Sequence, residues 1–329
     1  MLLRILFIAL ACLSFQAEAT TLKIATLVPD GTSWMKAMRH AAATVNDRTQ
    51  GRVKLKFYPG GVMGNDKSVL RKIRIGQLHG GAITGGGVAS FYPEASVYNL
   101  PFIFRSFEEV DYVRQRMDPI LIEGMLKKGF VSFGLSEGGF AYLMSKNPVS
   151  RFAELRQQKI WVPEGDDIGL AVFKALDIAP VPLPLTDVLT GLQTELINTV
   201  ASPAMGAIAL QWHTRLKHLV DIPITYLFGT LIISEKALKT ISSTDREILA
   251  QVLNDTFTEI NTQNRQDNKQ ALQALRNQGM QFIMPAASEV DPWRQLASQA
   301  IEKLVSQDRI PRHVYDVLQQ YLATYRSKH

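Results

Sequence analysis

The stretch from Thr244 to Gln278 runs for 35 residues without a glycine or a proline, and Gly279 ends it. Such a run predicts a helix, because the two strongest helix breakers are missing until the stop. One continuous helix of that length would span about 50 Å, well beyond the ~30 Å of a small domain. Either it runs along two lobes, or it divides into two helices at an unsignalled break. Thr244-Asp245-Arg246-Glu247 fits a capping box, in which the Thr and Glu side chains satisfy end amides. The first half is apolar-periodic (Ile248, Leu249, Val252, Leu253, Phe257, Ile260), whereas Asn261 to Gln270 is polar. That pattern suits a helix buried at one end that bridges in its middle.

The rest of the chain is consistent with two lobes. It has 329 residues, 46% hydrophobic and 20% charged, which is the composition of a globular protein of roughly two domains. The net charge of +6 arises from 36 basic and 30 acidic residues. Its densest basic cluster is Arg71-Lys72-Ile73-Arg74, too sparse for a nucleic-acid partner. At the start, Arg4, the apolar run Ile5–Leu13 and Ala17-Glu18-Ala19 fit a signal peptide cleaved after Ala19. The run is too short to span a membrane, so a periplasmic protein beginning at Thr20 is expected. Cys12 is the only cysteine and would leave with the leader. No disulfide or thiolate chemistry is then available.

Alternation of strands and helices predicts an α/β fold. Leu22–Leu27 reads as a strand ending in Pro29-Asp30-Gly31, and Ser33 to Arg48 as a helix. Val53, Leu55 and Phe57 alternate with lysines as in a half-buried strand. Asp66 is placed to cap a helix carrying Val69, Leu70 and Ile73, and Gly80–Thr84 is a short buried strand. This order implies a parallel sheet with helices on both faces. A second unit follows, with strands at Lys159–Val162, Ile178–Leu183 and Ile197–Val200 and helices at Ile168–Leu176, Thr186–Thr194 and Ala204–Trp212. Ligands of such sheets sit beyond the carboxyl ends of the strands.

Several catalytic motifs fail. Gly134-Leu135-Ser136-Glu137-Gly138 matches a nucleophile elbow, but that motif needs a helix after it, and Phe140–Met144 reads as a second strand. Gly80–Gly87 is glycine-dense yet has no lysine for a phosphate loop, so it reads as backbone that a ligand or another segment approaches closely. His213 and His218 are five apart and off one helical face. Asp166-Asp167 reads as a helix cap. No catalytic residue, metal or cofactor is expected.

Short motifs in order then carry a resemblance. Thr49-Gln50-Gly51-Arg52-Val53, Tyr58-Pro59-Gly60-Gly61, Gly64-Asn65-Asp66, Tyr92-Pro93-Glu94, Leu100-Pro101-Phe102 and Pro180–Thr194 follow one another along the mature chain. Together they resemble the DctP-type substrate-binding proteins of tripartite ATP-independent periplasmic (TRAP) transporters. The resemblance implies a two-lobed periplasmic-binding-protein (type II) fold and a non-enzymatic solute receptor. Such a receptor closes on its ligand and delivers it to membrane permease subunits. It divides the chain into a signal peptide (1–19), lobe I (20–140 with 228–268) and lobe II (141–227 with 269–329), with a bridging helix at about 244–278.

The departures from the family pattern concern ligand choice. The family's selectivity arginine falls in a motif that here reads Lys159-Ile160-Trp161-Val162-Pro163, so Trp161 takes its place. Ala141 stands where a second arginine is frequent, and Ser202 where many relatives have asparagine. Losing one partner of a buried ion pair costs ~3–5 kcal/mol, about a hundred- to several-thousand-fold in affinity. An apolar or weakly polar ligand is therefore expected. It would stack on Trp161, unless that side chain itself fills the cleft or packs at the hinge, with Thr84, Tyr142 and Ser202 as hydrogen-bonding candidates and Gly85 and Gly86 giving close access. Val28, Phe140, Ala141, Leu185 and Phe228 complete the expected lining. Family members without the arginine suggest a tetratricopeptide-repeat protein as a further partner. An exported hydrolase using Ser136, or a binding module for signalling, is the alternative.

Overall fold

The computed structural model describes residues 19–329. All of the expected leader except Ala19 lies outside the described residues. The first half contains β1 (Thr20–Thr26), α1 (Ser33–Arg48), β2 (Val53–Tyr58), α2 (Asp66–Arg74), β3 (Gly80–Thr84), α3 (Gly85–Ala89), α4 (Phe107–Lys127), β4 (Phe130–Ser145), α5 (Phe152–Leu155) and β5 (Trp161–Pro163). The second contains α6 (Asp167–Ala175), β6 (Val181–Leu183), α7 (Val188–Gln193), β7 (Thr199–Ser202), α8 (Ala204–Ala209), β8 (His218–Val220), β9 (Thr225–Ser234), α9 (Glu235–Leu238), α10 (Ser243–Asn277), β10 (Gln281–Ile283), α11 (Ala287–Ser306) and α12 (Arg312–Arg326).

One mixed sheet of eight strands runs through the molecule in the order β10-β8-β4-β9-β3-β1-β2, with β7 also paired to β4. The parallel pairing expected for the first unit is present, with β1 between β2 and β3; β5 with β6 and β8 with β10 are parallel as well. β9 enters antiparallel to both β3 and β4, and β4 is antiparallel to β7 and β8. Apolar patterning shows which residues are buried but not the direction in which a distant strand returns, so the sequence could not reveal this insertion.

The two strands expected around Gly138-Gly139 are a single 16-residue strand, β4. The glycines bend it without breaking it. A register shift between Glu137 and Gly139 marks a bulge, and Gly139 has φ +92°. β4 pairs with β9 from Phe130 to Ala141, on both sides of the bulge; from Tyr142 onward it pairs with β7, and Met144 and Ser145 also pair with β8. β4 is therefore common to both lobes.

The long helix is continuous. It starts two residues earlier than the capping-box reading implies, because Ser242, not Thr244, is the N-cap, and its hydroxyl accepts from Asp245 N. Asp245 is held for this by two hydrogen bonds from Arg52, at 3.1 and 2.9 Å. Leu249, Val252, Leu253, Phe257 and Ile260 pack into one apolar cluster with α1, β1 and β2, and Ala271 and Leu275 into a second with Trp161, Trp212 and Leu219. Between these patches the helix lies against the β4 bulge and bonds to it through side chains. Asn261 donates to Leu135 O and accepts from Glu137 N; Asn264 donates to Glu137 O; Asn268 donates to Gly138 O. Arg265 forks onto Glu137 at 2.8 and 2.7 Å and onto Asp111 of α4.

Two smaller differences concern helix starts and the C-terminus. Asn65, not Asp66, caps α2, which frees the Asp66 side chain for another contact. α12, expected with lobe II, packs on α4, and Arg326 forks onto the buried Glu109 there.

Arg265→Met should lower the unfolding free energy by about 3–5 kcal/mol in denaturant titration, because Glu137 stays buried. Asp111→Asn, which removes only the half-exposed partner, should cost under about 1 kcal/mol. Similar losses from the two would show that Glu137 is not the anchoring group.

Candidate ligand cleft

The lobes meet along a rim. Asn65 donates to Glu164 Oε2 at 2.8 Å from one lobe to the other. A Cβ added to Gly61, which has φ +75°, would lie 2.8 Å from Thr186 Cγ2. One added to Gly86 would lie 4.0 Å from Asp166 Cβ. The glycine-rich segment is thus where lobe II approaches lobe I. Gly80–Thr84 is the expected strand, but Gly85–Gly87 open the short helix α3 instead of forming a loose turn. Gly85 is small because Asn99 Oδ1 and the Phe228 ring crowd it, and Gly87 because Asp66 does. Gly86 alone of the three faces open space and the other lobe.

The three departures from the family pattern fall on neighbouring strands. Tyr142, next to Ala141, pairs with Ser202 across β4 and β7, and Ile160, next to Trp161, bridges to Thr199 of β7. Trp161 is only 6% exposed. Its indole N–H donates to Leu183 O at 3.0 Å, and its ring meets Trp212 edge-on at 5.2 Å. Tyr142 and Leu185 pack against the same cluster. Phe140 and Phe228 belong instead to an aromatic group with Phe107, Tyr98 and Tyr226. Val28 packs at the edge of the lobe I core. Trp161, Tyr142, Leu185 and Ser202 are therefore together, Gly85 and Phe228 form a second group, and Val28 stands apart.

Most of the expected hydrogen-bonding groups are already committed. Thr84 Oγ1 donates to Asp66 Oδ2 at 2.6 Å and accepts from Gly87 N as the cap of α3. Ser202 Oγ donates to Pro203 O at 2.9 Å. The Tyr142 ring is half-buried, and among the described residues its hydroxyl has no protein partner. Burial, with the nearby Asp221 charge, raises its pKa. It is the polar group of this set left for a ligand.

Two buried carboxylates near the rim were read from the sequence only as helix caps. Asp66 Oδ2 accepts from Thr84 N and Oγ1, whereas Oδ1 is shielded from water with no partner. Burial pushes its pKa up to about 6, against the lowering effect of the Thr84 bonds. Asp166 caps α6 through Gly169 N at 2.9 Å, as expected for Asp166-Asp167. Burial raises its pKa too. The signal for Asp66 was present in Gly64-Asn65-Asp66, but two adjacent capping residues hid which of them turned away.

Ser136 lies within β4, paired with Gly229, in an unbroken strand with no helix behind it. Among the described residues no group of His, Cys, Asp and Glu could hold a metal ion, and no helix is long and apolar enough to cross a membrane. A groove of about 760 Å³ between α4 and the long helix is lined by Asp111, Arg114, Asp118, Glu137 and Arg265. Their charges are already paired with each other.

Two α/β lobes that share β4, are joined by one long helix and face each other across Asn65–Glu164 have the plan of a bilobed binding protein. Residues 24–308 match the bacterial extracellular solute-binding protein family 7, DctP, and the chain belongs to that family. The family consists of transport solute-binding proteins, not enzymes. The uncharacterised protein YiiZ of Salmonella typhimurium is 26% identical over 194 residues, covering 57% of this chain and 58% of that protein. The sialic acid-binding periplasmic protein SiaP of Vibrio cholerae is 23% identical over 300 residues, 88% of this chain and 90% of that one. Among solved structures, the sugar acid binding protein DctPAm of Advenella mimigardefordensis, in complex with galactonate, superposes with a TM-score of 0.86 at 20% identity. It covers 93% of this chain and 99% of its own.

The Asp66 carboxyl has a folded-state pKa above its ordinary 3.8. Its contribution to stability is therefore fully present below about pH 4 and lost as the pH rises through about 6. Asp66→Asn keeps an acceptor for Thr84 and abolishes the titration. The melting temperature of Asp66→Asn relative to wild type should rise between pH 4 and pH 7; a flat difference would place the Asp66 carboxylate in contact with water.

Proposed function

We propose that the chain is the extracytoplasmic receptor of a TRAP-type importer, exported by a signal peptide cleaved after Ala19. It would capture a small organic solute between its lobes and present it to membrane permease subunits. Membership of family 7 and a sheet whose strand β4 serves both lobes support the receptor reading.

The observation that carries the ligand class is the set Trp161, Ala141 and Ser202 on adjoining strands. None of the three offers a cation, and the Trp161 N–H is already bonded to the backbone. We therefore assign an apolar or weakly polar solute, held by the aromatic wall of Trp161 and Tyr142 and hydrogen-bonded by the Tyr142 hydroxyl. The galactonate of the Advenella protein is an acid, and this reading separates the present chain from it.

Native mass spectrometry of protein purified without refolding tests this. An adduct whose formula lacks an acid group, weakened several-fold in Tyr142→Phe and lost in Trp161→Ala, is the expected result. Trp161→Ala also removes core packing, at about 3–5 kcal/mol, so Tyr142→Phe is the cleaner comparison. A carboxylate adduct would overturn the ligand class and leave the receptor standing.

A further inference from the structure

The basic run Arg71-Lys72-Ile73-Arg74 has no place in the cleft, and the fold adds further cations to it. Lys54 and Lys56 alternate along β2, and the parallel register sets Lys23 of β1 opposite Lys56. Residues paired in this way point to the same side of a sheet. That side is the one on which α2 packs. Ala25 shares it with Lys23, and a Cβ on Gly81, the partner of Ala25, would lie 2.7 Å from Val69 Cγ1 of α2. β2 is the last strand of the sheet, so no further strand borders Lys54 and Lys56. Lys23, Lys54 and Lys56 are exposed, as are Lys67, Arg71 and Arg74 of α2.

Nothing neutralises this side of lobe I. From Val53 to Pro93 the only acid is Asp66, and its carboxylate turns to Thr84. Among the described residues none of these six cations, nor Lys72, is in an ion pair. Lys72 donates to Met63 O, and Lys56 lies over the Tyr58 ring at 5.4 Å. Edge lysines keep a strand from pairing with another chain, which accounts for Lys54 and Lys56. It does not account for Arg71 and Arg74 on a helix. Nor does it account for Ile75, directly after Arg74, or Val62, next to the Met63 that Lys72 bonds, each 71% exposed.

The cations come from three elements and sit on long stems without fixed acid partners. Such a surface responds to total charge more than to the shape of a partner. Basic side chains that carry their charge outward around bare apolar ones are the composition of a face that lies on a bilayer.

We propose that this side of lobe I, formed by β1, β2 and α2, docks on the surface of a bilayer containing anionic phospholipid. The cations meet the phosphate headgroups, and Ile75 and Val62 reach between them. Each cation near such a surface strengthens binding roughly fivefold at low salt. The solute takes no part, so the surface stands or fails independently of the ligand class.

The test uses protein exported and processed by the expression host, so that the leader does not itself bind lipid. Vesicles of phosphatidylcholine alone are compared, by co-sedimentation at low salt, with vesicles containing about a third phosphatidylglycerol. Binding to the anionic vesicles should be at least about tenfold tighter and should fall away as salt shortens the screening length. Lys54→Gln, Lys56→Gln, Arg71→Gln and Arg74→Gln together should lose about tenfold or more, with the melting temperature held. A control with the same charge loss at other exposed positions, Lys217→Gln, Lys269→Gln, Lys303→Gln and Lys328→Gln, should keep binding within about threefold. Ile75→Ser should weaken binding several-fold at every salt concentration. Equal binding to both kinds of vesicle, or equal losses from the two fourfold variants, would overturn the surface. An unaffected Ile75→Ser variant would overturn the apolar contact. Retention on immobilised polyglutamate without vesicle binding would overturn the lipid partner in favour of an acidic protein.

Discussion

The Glu137 carboxylate is 1% exposed on a strand that serves both halves of the molecule. Burying such a group is costly unless it is paired and fully hydrogen-bonded. Here Arg265 supplies a fork, Tyr226 a hydroxyl, and Arg114 a further positive charge at 3.9 Å. Because Arg265 comes from the long helix and also grips Asp111 of α4, three elements are fastened at one point. The polar middle of the helix exists for this purpose. An apolar stripe there would leave Glu137 and the backbone of the bulge without partners. The ends of the helix can then follow different cores, one in each lobe.

The walls facing the other lobe follow from that anchoring. β4 leaves the anchor through two glycines and arrives at Ala141 and Tyr142, beside Ser202 and Trp161. On the facing lobe, β3 delivers the Thr84–Gly87 cap, packed so that only Gly86 looks across. Apart from the Tyr142 hydroxyl, the polar groups expected to meet a ligand are already satisfied within the protein. Thr84 serves Asp66, Ser202 serves Pro203 O, and Trp161 serves Leu183 O. Few free hydrogen-bonding groups on these walls are the ground on which an apolar or weakly polar solute is proposed.

The sequence was most legible where local signals agreed. Ser33–Arg48 and Gly80–Thr84 have the ends that their caps and breakers predict, and the long helix is continuous because nothing in it stops a helix. The sequence was least legible where the outcome depends on distant partners. Gly138-Gly139 looks like a break until Asn268 and Leu227 are seen filling the space beside it. Asp66 looks like a cap until Asn65 takes that role and Asp66 turns to Thr84, eighteen residues on. Trp161 was found by its place in a motif, but its commitment to Trp212 and Leu183 O is a property of the packed lobe.

The central claim is that a solute lies between the lobes, against Trp161 and Tyr142, without a salt bridge. A crystal structure of the protein purified without refolding tests this most directly. The account predicts an organic molecule in contact with the Tyr142 hydroxyl and the Trp161 face, near Gly86, with no Arg or Lys nitrogen within salt-bridge distance of it. A carboxylate paired with a basic side chain at that place, or a solute in the groove between α4 and the long helix instead, would contradict it.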